Sequence, residues 1–530
     1  MYILLALLPL IAILMMLLIF KKPADISGIV GWLVVAIVAF LFFDTTFDVL
    51  VRSTAAGLIK SFSVSMIVAT SLLQMAFMEK TGALKRIIIF LKTIARENKA
   101  VQIILINIGF GTLMVAVGAT PVSILPPILL SIGYTTTVAI ALPAIGYDSL
   151  CTYALLGAPI VVFVDMANAF TGGTSITLSQ VGSTFSPILP VVSTSIGFCM
   201  LWIVGRWEGL KKGWLPCVIA GVVIGIVSHF TNKVDNLVVL TGVLCGLAVI
   251  ITMVIYLAAT GKKVLDKSIL TPEELAYEKT YPLWKAFIPW VLLIALILIL
   301  NLNKDVFNTL YYQWKFPING LAANGKGIDT RFLWNAYTWI FVSTLLSIPF
   351  LKPTAKQLKD TVSTWLKRAP RPVFAAAIFF AIGEVMNMSG FNVLSVADKS
   401  IPKYIDHNMI KVLADASASV FHGAYGFVVS FIGLFGGFLT GSEASSIAMF
   451  ANYTMATAES INVNMIIITA GLAFGAGLAS VISPAKLQNA AASIDKLGEE
   501  NKVIPMAFIF SLILTTITAA FIALLVAFAH

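Results

Sequence analysis

The chain has 530 residues, of which 59% are hydrophobic and only 11% charged. Soluble domains carry about 25% charged residues, so the composition excludes a water-soluble protein and fits an integral membrane one. The formal net charge of +10 would suit nucleic acid, but the basic residues fall mainly in the links between apolar spans. The cytoplasmic preference of Lys and Arg accounts for them with no nucleic-acid partner.

Apolar stretches near 20 residues can each cross a hydrocarbon core of about 30 Å. They predict crossings near 2–20, 26–43, 59–78, 135–170, 185–204, 213–230, 237–259, 283–300, 332–351, 372–390, 463–494 and 504–528. Lys21 and Lys22 follow the first apolar run instead of preceding it, which reads as a retained span and not a cleaved signal. Re-entrant hairpins near 100–133 and 415–458 complete the set. The predicted fold is an all-α integral membrane protein with about 12 transmembrane helices, two re-entrant hairpins and broken helices.

Charge sets the orientation. The link 79–99 carries Lys80, Lys85, Arg86, Lys92, Arg96 and Lys99 and is assigned to the cytoplasm. Counting outward from it, 21–25, 205–212, 260–282 and 352–371 also fall inside. Links 44–58 and 231–236, with one basic residue each, fall outside, and 301–331, with four over a longer stretch, fits least well. Both termini are then outside. The scheme closes only if each hairpin enters and leaves on one side.

The segment 425–459 is the most informative. Two apolar half-helices flank a polar tip, Thr440-Gly441-Ser442-Glu443-Ala444-Ser445-Ser446. A carboxylate and hydroxyls cannot face lipid, and irregular backbone at membrane depth is tolerated only inside protein or against a cavity. A related element, Gly118-Ala119-Thr120-Pro121-Val122-Ser123, stands about 320 residues earlier. Around each tip the same order of elements runs. A span ends at Met78-Glu79-Lys80-Thr81-Gly82 or Met386-Asn387-Met388-Ser389-Gly390, a hairpin follows, and then a span broken near Gly157-Ala158-Pro159 or Ile482-Ser483-Pro484. The chain therefore divides into N-terminal helices (1–58), a first repeat (59–204), a connecting scaffold offering a homo-oligomer contact (205–371) and a second repeat (372–530). Link 79–99 is inside and its counterpart 391–411, with three basic residues, outside. The repeats are inverted, an arrangement that places substrate at the midplane.

These residues resemble the L-lactate permeases of prokaryotic plasma membranes. The resemblance is clearest over 378–500, in Ser389-Gly390, Phe438-Leu439-Thr440-Gly441-Ser442-Glu443-Ala444-Ser445-Ser446 and Ile482-Ser483-Pro484, and looser at Thr120-Pro121-Val122 and Gly157-Ala158-Pro159-Ile160. It implies uptake of L-lactate, glycolate and related 2-hydroxy monocarboxylates with protons, across a cell membrane, by a protein that is not an enzyme. Departures fall at Glu443, where the family carries Asp, at Ser480, in place of a Lys, at Lys486, and at Asp148, where a small hydroxyl residue is usual.

A hydroxy-acid anion needs positive potential for its carboxylate and neutral partners for its hydroxyl. Half-helix N-termini supply about half a positive charge without burying a full one. Such ends are expected near Ser123, Ile160, Ser445 and Ala485, with Gly118, Gly157 and Gly441 allowing close backbone approach. Thr120, Ser123, Ser442, Ser445, Ser446 and Ser483 offer hydroxyls, although Ser and Thr in membrane helices also simply bond their own backbone. Lys486 is placed to meet the substrate carboxylate or Glu443. Glu443 and Asp148, ionisable at depth, are the expected carriers of the coupling proton. Glu384, Asp415, His422 and Asp165 read as solvated or gate-lining. Cys151, Cys199, Cys217 and Cys245 lie in apolar segments as small hydrophobes, with no disulfide or zinc spacing. No metal, cofactor or nucleotide loop is expected. The rival readings are sodium coupling to another small carboxylate, a membrane enzyme on a lipid-linked substrate and a channel. Link 301–331 offers an enzyme only Asp305 and Asp329 as carboxylates.

Overall fold

The computed structural model describes residues 1–172, 175–321, 327–391 and 408–529. Among these residues, eleven helices are long and apolar enough to cross a membrane. Some of them, Lys99–Ala116 and Met409–Thr440, belong to the hairpin regions, while the apolar helices Tyr2–Leu18 and Ala336–Leu351 are shorter. The two spans expected at 185–204 and 213–230 are both present within Ile188–Thr231, parted by a reversal at the non-helical Arg206 (φ 49°, ψ −137°). The chain folds back there, since Gly197 faces Cys217 and Gly221 faces Thr194.

Polar bonds sort the links into two sets. Links expected inside bond to one another. Asp25 pairs with Arg371 (2.7 Å), Glu79 with Arg368 (2.7 Å), Arg86 with Glu278 (2.9 Å), Lys92 with Glu274 (2.6 Å) and Arg96 with Asp266 (3.1 Å). Links expected outside do the same: Arg52 donates to Gly320 O (3.3 Å) and Tyr312 to Asp235 (3.3 Å). Among the links expected inside, Glu274 sits below its usual carboxyl range: burial raises it, but the Lys92 ammonium and the Thr271 N–H outweigh that.

The ends of the two equivalent spans lie in opposite sets. Phe62–Lys80 ends among the inner links, where Gln357 Nε2 donates to Lys80 O (2.9 Å). Pro370–Met388 ends among the outer ones, where Gly390 N donates to Thr45 Oγ1 (3.0 Å) and Val49 packs with Met388 and Phe391. The two spans thus end in opposite sets, as an inverted pair would require. Residues 392–407 of the expected outer link lie outside the described residues.

The hairpins follow the same inversion. The first has arms Lys99–Ala116, with a π-helical stretch at Ile104–Phe110, and Pro121–Ser131. Its feet are tied together next to the link expected inside: Tyr134 donates to Gln102 Oε1 (3.2 Å) and Gln102 Nε2 to Ile94 O (2.9 Å). The second has arms Tyr425–Thr440 and Glu443–Ser460, so it begins about ten residues later than expected. The cause is a break at His422 (φ 38°, ψ −117°), which sets apart a preceding helix, Met409–Phe421. That helix starts at the outer side, where Asn408 Nδ2 donates to Asn387 O (3.0 Å) and Ser389 O (2.8 Å).

Glycine lets the second hairpin close on the broken span Met465–Leu478. A Cβ on Gly475 would lie 1.9 Å from Ser430 O, and one on Gly433 2.1 Å from Leu472 O. The two helices meet backbone to backbone, as small residues spaced by four permit in membranes.

Candidate functional site

Both expected breaks are present. In the first, Thr136–Gly146 gives way to a 3-10 stretch, Tyr147–Tyr153. Leu155 (φ 53°), Leu156 (φ 55°) and Gly157 (φ 76°) then run left-handed before the helix resumes toward Thr171. Glycine adopts that conformation freely, but each leucine costs about 1–2 kcal/mol, strain that packing around it must hold. The broken stretch reaches further back than Gly157-Ala158-Pro159, to Tyr147. In the second, Met465–Leu478 passes through Ala479–Ile482 and an extended Ser483 into Pro484–Ala492. Pro484 starts that half-helix, where its missing N–H is no loss.

The second hairpin tip is fixed by its own hydroxyls. Gly441 (φ 69°) caps one arm and Ser442 starts the next, accepting from Ser445 N (3.4 Å). Thr440 Oγ1 donates to Ser442 O (2.9 Å) and accepts from Ser442 N (3.2 Å), and Ser446 Oγ donates to the same carbonyl (2.8 Å). Ser442 and Ser446 thus hold the turn. Ser445 differs: its hydroxyl is buried and has no hydrogen-bond partner among the described residues.

Glu443 leaves this tip toward both breaks. A Cβ on Gly477 would lie 2.8 Å from Glu443 Oε2 and 3.3 Å from Cys151 Cβ. Cys151 and Thr152 of the first break are its polar neighbours and Lys486 its nearby charge. Asp148, from the first break, has Lys486, Glu443 and Ser480 around it. Lys486 donates to Ser480 Oγ across the second break. Both carboxylates are buried, and no donor reaches their oxygens in ordinary hydrogen-bond geometry, Cys151 and Thr152 standing beside Glu443 and Ser480 beside Asp148. One tip and two breaks therefore converge on two carboxylates and one ammonium. Among the described residues no three His, Cys, Asp or Glu side chains are grouped to hold a metal.

The other expected site residues have different surroundings. Gly441 approaches Ser483, whose Oγ would lie 4.0 Å from an added Cβ. Thr120 and Ser123 are exposed and hydrogen-bond each other (3.4 Å). Their half-helix, Pro121–Ser131, packs on Pro484–Ala492, which carries Lys486. Gly118 (φ 89°) abuts Ser71 and Leu155. Gly157 faces Val239 of the scaffold, 3.1 Å from an added Cβ. Thr112 and Ser149 share a hydrogen bond (3.2 Å) that ties the first hairpin to the first break.

One expectation is corrected. Glu384 is not solvated but buried and ion-paired with Lys60 (2.7 Å), whereas Asp165 stays partly exposed while paired with Arg331 (2.8 Å). Cys151 and Thr152 were not legible as site residues. Their spacing of three and four from Asp148 was the available signal, hidden inside an apolar run.

The profile of the L-lactate permeases matches residues 2–529. The chain belongs to the L-lactate permease family. It is thus a multi-pass protein of the cell membrane, and the family name marks a permease and not an enzyme. Among its relatives, an L-lactate permease of Escherichia coli K12 is 23% identical over 455 residues, covering 79% of this chain and 77% of the relative. The glycolate permease GlcA of the same strain is 22% identical over 461 residues, with the same coverage of 79% and 77%. An L-lactate permease of Halalkalibacterium halodurans is 20% identical over 519 residues, covering 96% and 93%. Of solved structures, MtrF of Neisseria gonorrhoeae aligns at 13% identity over 88% of this chain and 83% of its own, with a TM-score of 0.44. Similarity at that level carries no argument about mechanism.

Proposed function

We propose that this member of the family imports L-lactate or a related 2-hydroxy monocarboxylate such as glycolate, by proton symport with alternating access. The reading is carried by one observation, the meeting of Glu443, Asp148 and Lys486 where the second tip and both breaks converge. Uncompensated charge at such depth is expensive. With Lys486 charged, the trio is neutral when one carboxylate holds a proton. A substrate anion brings one negative charge, and a second proton on the other carboxylate restores neutrality. Anion and proton together thus enter at no net charge, whereas either alone leaves a buried imbalance.

In this reading Ser445 and the half-helix ends after Ser442 and Ser483 meet the substrate carboxylate. Gly441 gives room, and Ser442 and Ser446 keep the tip in shape. Thr120 and Ser123 complete the site from the first hairpin, and Gly157 acts by letting the scaffold close on the break. The two repeats, 59–204 and 372–530, reorient around the site between N-terminal and connecting helices. Names of the relatives, which include lactate and glycolate permeases, support the substrate class. The test is uptake of labelled L-lactate into proteoliposomes with imposed proton or sodium gradients and competing hydroxy acids. An inward proton gradient should drive accumulation at zero sodium. Accumulation that needs sodium and ignores pH sinks the proton reading.

A further inference from the structure

The link 352–371 contains a helix, Ala355–Arg368, opened by a capping box in which Thr354 Oγ1 accepts from Gln357 N (3.2 Å) and Gln357 Oε1 from Thr354 N (2.8 Å). Positions four apart share a helix face, and two such rows run side by side here. One row faces the protein. Gln357 Nε2 donates to Lys80 O (2.9 Å), Thr361 is buried, and Trp365 Nε1 donates to Ala69 O (2.8 Å). The adjacent row is uncovered: Leu358, Val362 and Leu366 are 36%, 47% and 58% exposed. Charge lies beyond that row. The link holds Lys352, Lys356, Lys359, Lys367, Arg368 and Arg371 against a single carboxylate, Asp360. Arg368 pairs with Glu79 and Arg371 with Asp25. The four lysines are exposed and form no ion pair among the described residues.

The chain holds this helix at the membrane boundary. It follows the apolar helix Ala336–Leu351 after residues 352–354 and runs through Ala369 into Pro370–Met388. Three extended residues reach about 10 Å, so a helix tethered at both ends to apolar helices cannot leave the bilayer surface. An apolar row bordered by exposed lysines matches a lipid leaflet there, with acyl chains against the row and phosphates against the ammonium groups. Lysine stems can lie along apolar surface while the charged ends reach the headgroups. We propose that Ala355–Arg368 is an interfacial helix that binds anionic phospholipid. Leu358, Val362 and Leu366 lie among the acyl chains, and Lys352, Lys356, Lys359 and Lys367 meet the phosphodiesters. The helix is bonded to Phe62–Lys80 and runs into Pro370–Met388, the equivalent spans of the two repeats. Lipid held here therefore bears on the segment that bridges them.

The experiment uses the full chain in nanodiscs of phosphatidylcholine and phosphatidylglycerol. Val362→Cys and Ser363→Cys, made singly, place a fluorophore on the apolar row or on the exposed face beside it; the four native cysteines are buried. Lipid with a spin label at the top of its acyl chain quenches a fluorophore that it touches. Adjacent helical residues point about 100° apart, so quenching at 362 should exceed that at 363 by at least about threefold. Equal quenching at both positions, or none at either, overturns the interfacial placement and leaves the row to a partner absent from the nanodisc. At equal mole fraction, spin-labelled phosphatidylglycerol should quench at 362 at least about threefold more than spin-labelled phosphatidylcholine, since each lysine near an anionic surface adds up to about fivefold in affinity. Lys352→Gln, Lys356→Gln, Lys359→Gln and Lys367→Gln combined should bring that ratio to about one, and because all four are exposed the chain should still fold. A ratio of one with the lysines present, or a ratio that survives their removal, overturns the anionic-lipid reading. A ratio erased by inorganic phosphate at constant ionic strength assigns the lysines to a free anion and overturns it as well.

Discussion

Gly477→Ala is the sharpest single test of the cluster. The added Cβ would lie 2.8 Å from Glu443 Oε2 and 3.3 Å from Cys151 Cβ. Ordinary contact begins near 3.4 Å, so the carboxylate must retreat by about 0.6 Å. The end of a side chain can give way that far without moving backbone. Replacing Gly by Ala also favours Met465–Leu478 as a helix by up to about 1 kcal/mol, so stability should change by less than about 1 kcal/mol. Function should not be spared. A displacement approaching 1 Å in a positioned group can cost up to about a hundredfold, and roughly tenfold slower uptake is expected. Gly475→Ala, two residues away, is the control. There the new Cβ would stand 1.9 Å from Ser430 O, backbone against backbone, and the helices must part. Overpacking of that kind costs about 1–3 kcal/mol or more, so this variant should lose yield and thermal stability. The assays are initial uptake of labelled L-lactate in proteoliposomes and melting followed by size-exclusion chromatography. Wild-type uptake by Gly477→Ala would refute the placement of Glu443 in the site, and equal destabilisation of both variants would make the contact purely structural.

Ser445→Ala should weaken substrate binding by about 1–3 kcal/mol, because its buried hydroxyl is otherwise uncommitted; Ser446→Ala should lower tip stability instead, and unaltered affinity in Ser445→Ala would rule its hydroxyl out. Glu443→Gln or Asp148→Asn should keep lactate exchange but lose accumulation against a gradient, since only net uptake requires return of the empty carrier with its proton released; full pH-driven accumulation in both excludes them as obligatory carriers. Removing one partner of the buried Lys60–Glu384 pair, as in Lys60→Met, should destabilise the fold by about 3–5 kcal/mol, visible as a lowered melting temperature. On a background without Cys151, Cys199, Cys217 and Cys245, new cysteines in 79–99 and 352–371 should label from the cytoplasm and those in 231–236 from outside; labelling of 79–99 and 231–236 from one side would undo the topology.

What the sequence by itself determined was whatever depends on local chemistry and on the bilayer as solvent. Apolar length gave the spans, Lys and Arg grouped the links into two sets, and glycine and proline in apolar runs gave the tips and breaks. The bond partners of Asp25, Glu79, Arg86 and Lys92 then fall within the set that charge had assigned to the inside. The exact ends of the elements were less legible. His422 and Arg206 take backbone conformations that no residue type announces, and so the second hairpin starts late and the reversal between two spans is sharper than the expected link.

Only the tertiary structure decided which polar residues share a site. Glu443, Asp148 and Lys486 stand on three elements far apart in sequence, and their meeting depends on how a hairpin arm and two broken spans pack. The same holds for hydroxyls. Ser442, Ser445 and Ser446 look alike in the string, but the turn geometry engages the hydroxyls of two of them in the tip and leaves that of Ser445 buried without a hydrogen-bond partner among the described residues. Cys151 was indistinguishable from a small core residue until Gly477 brought Glu443 against it. Glu384, expected in water, is buried because Lys60 compensates its charge from a different helix. Hydropathy and charge act residue by residue and can be summed along a chain. Partnership between buried polar groups is a property of three-dimensional packing, and it comes into being only when the helices are assembled.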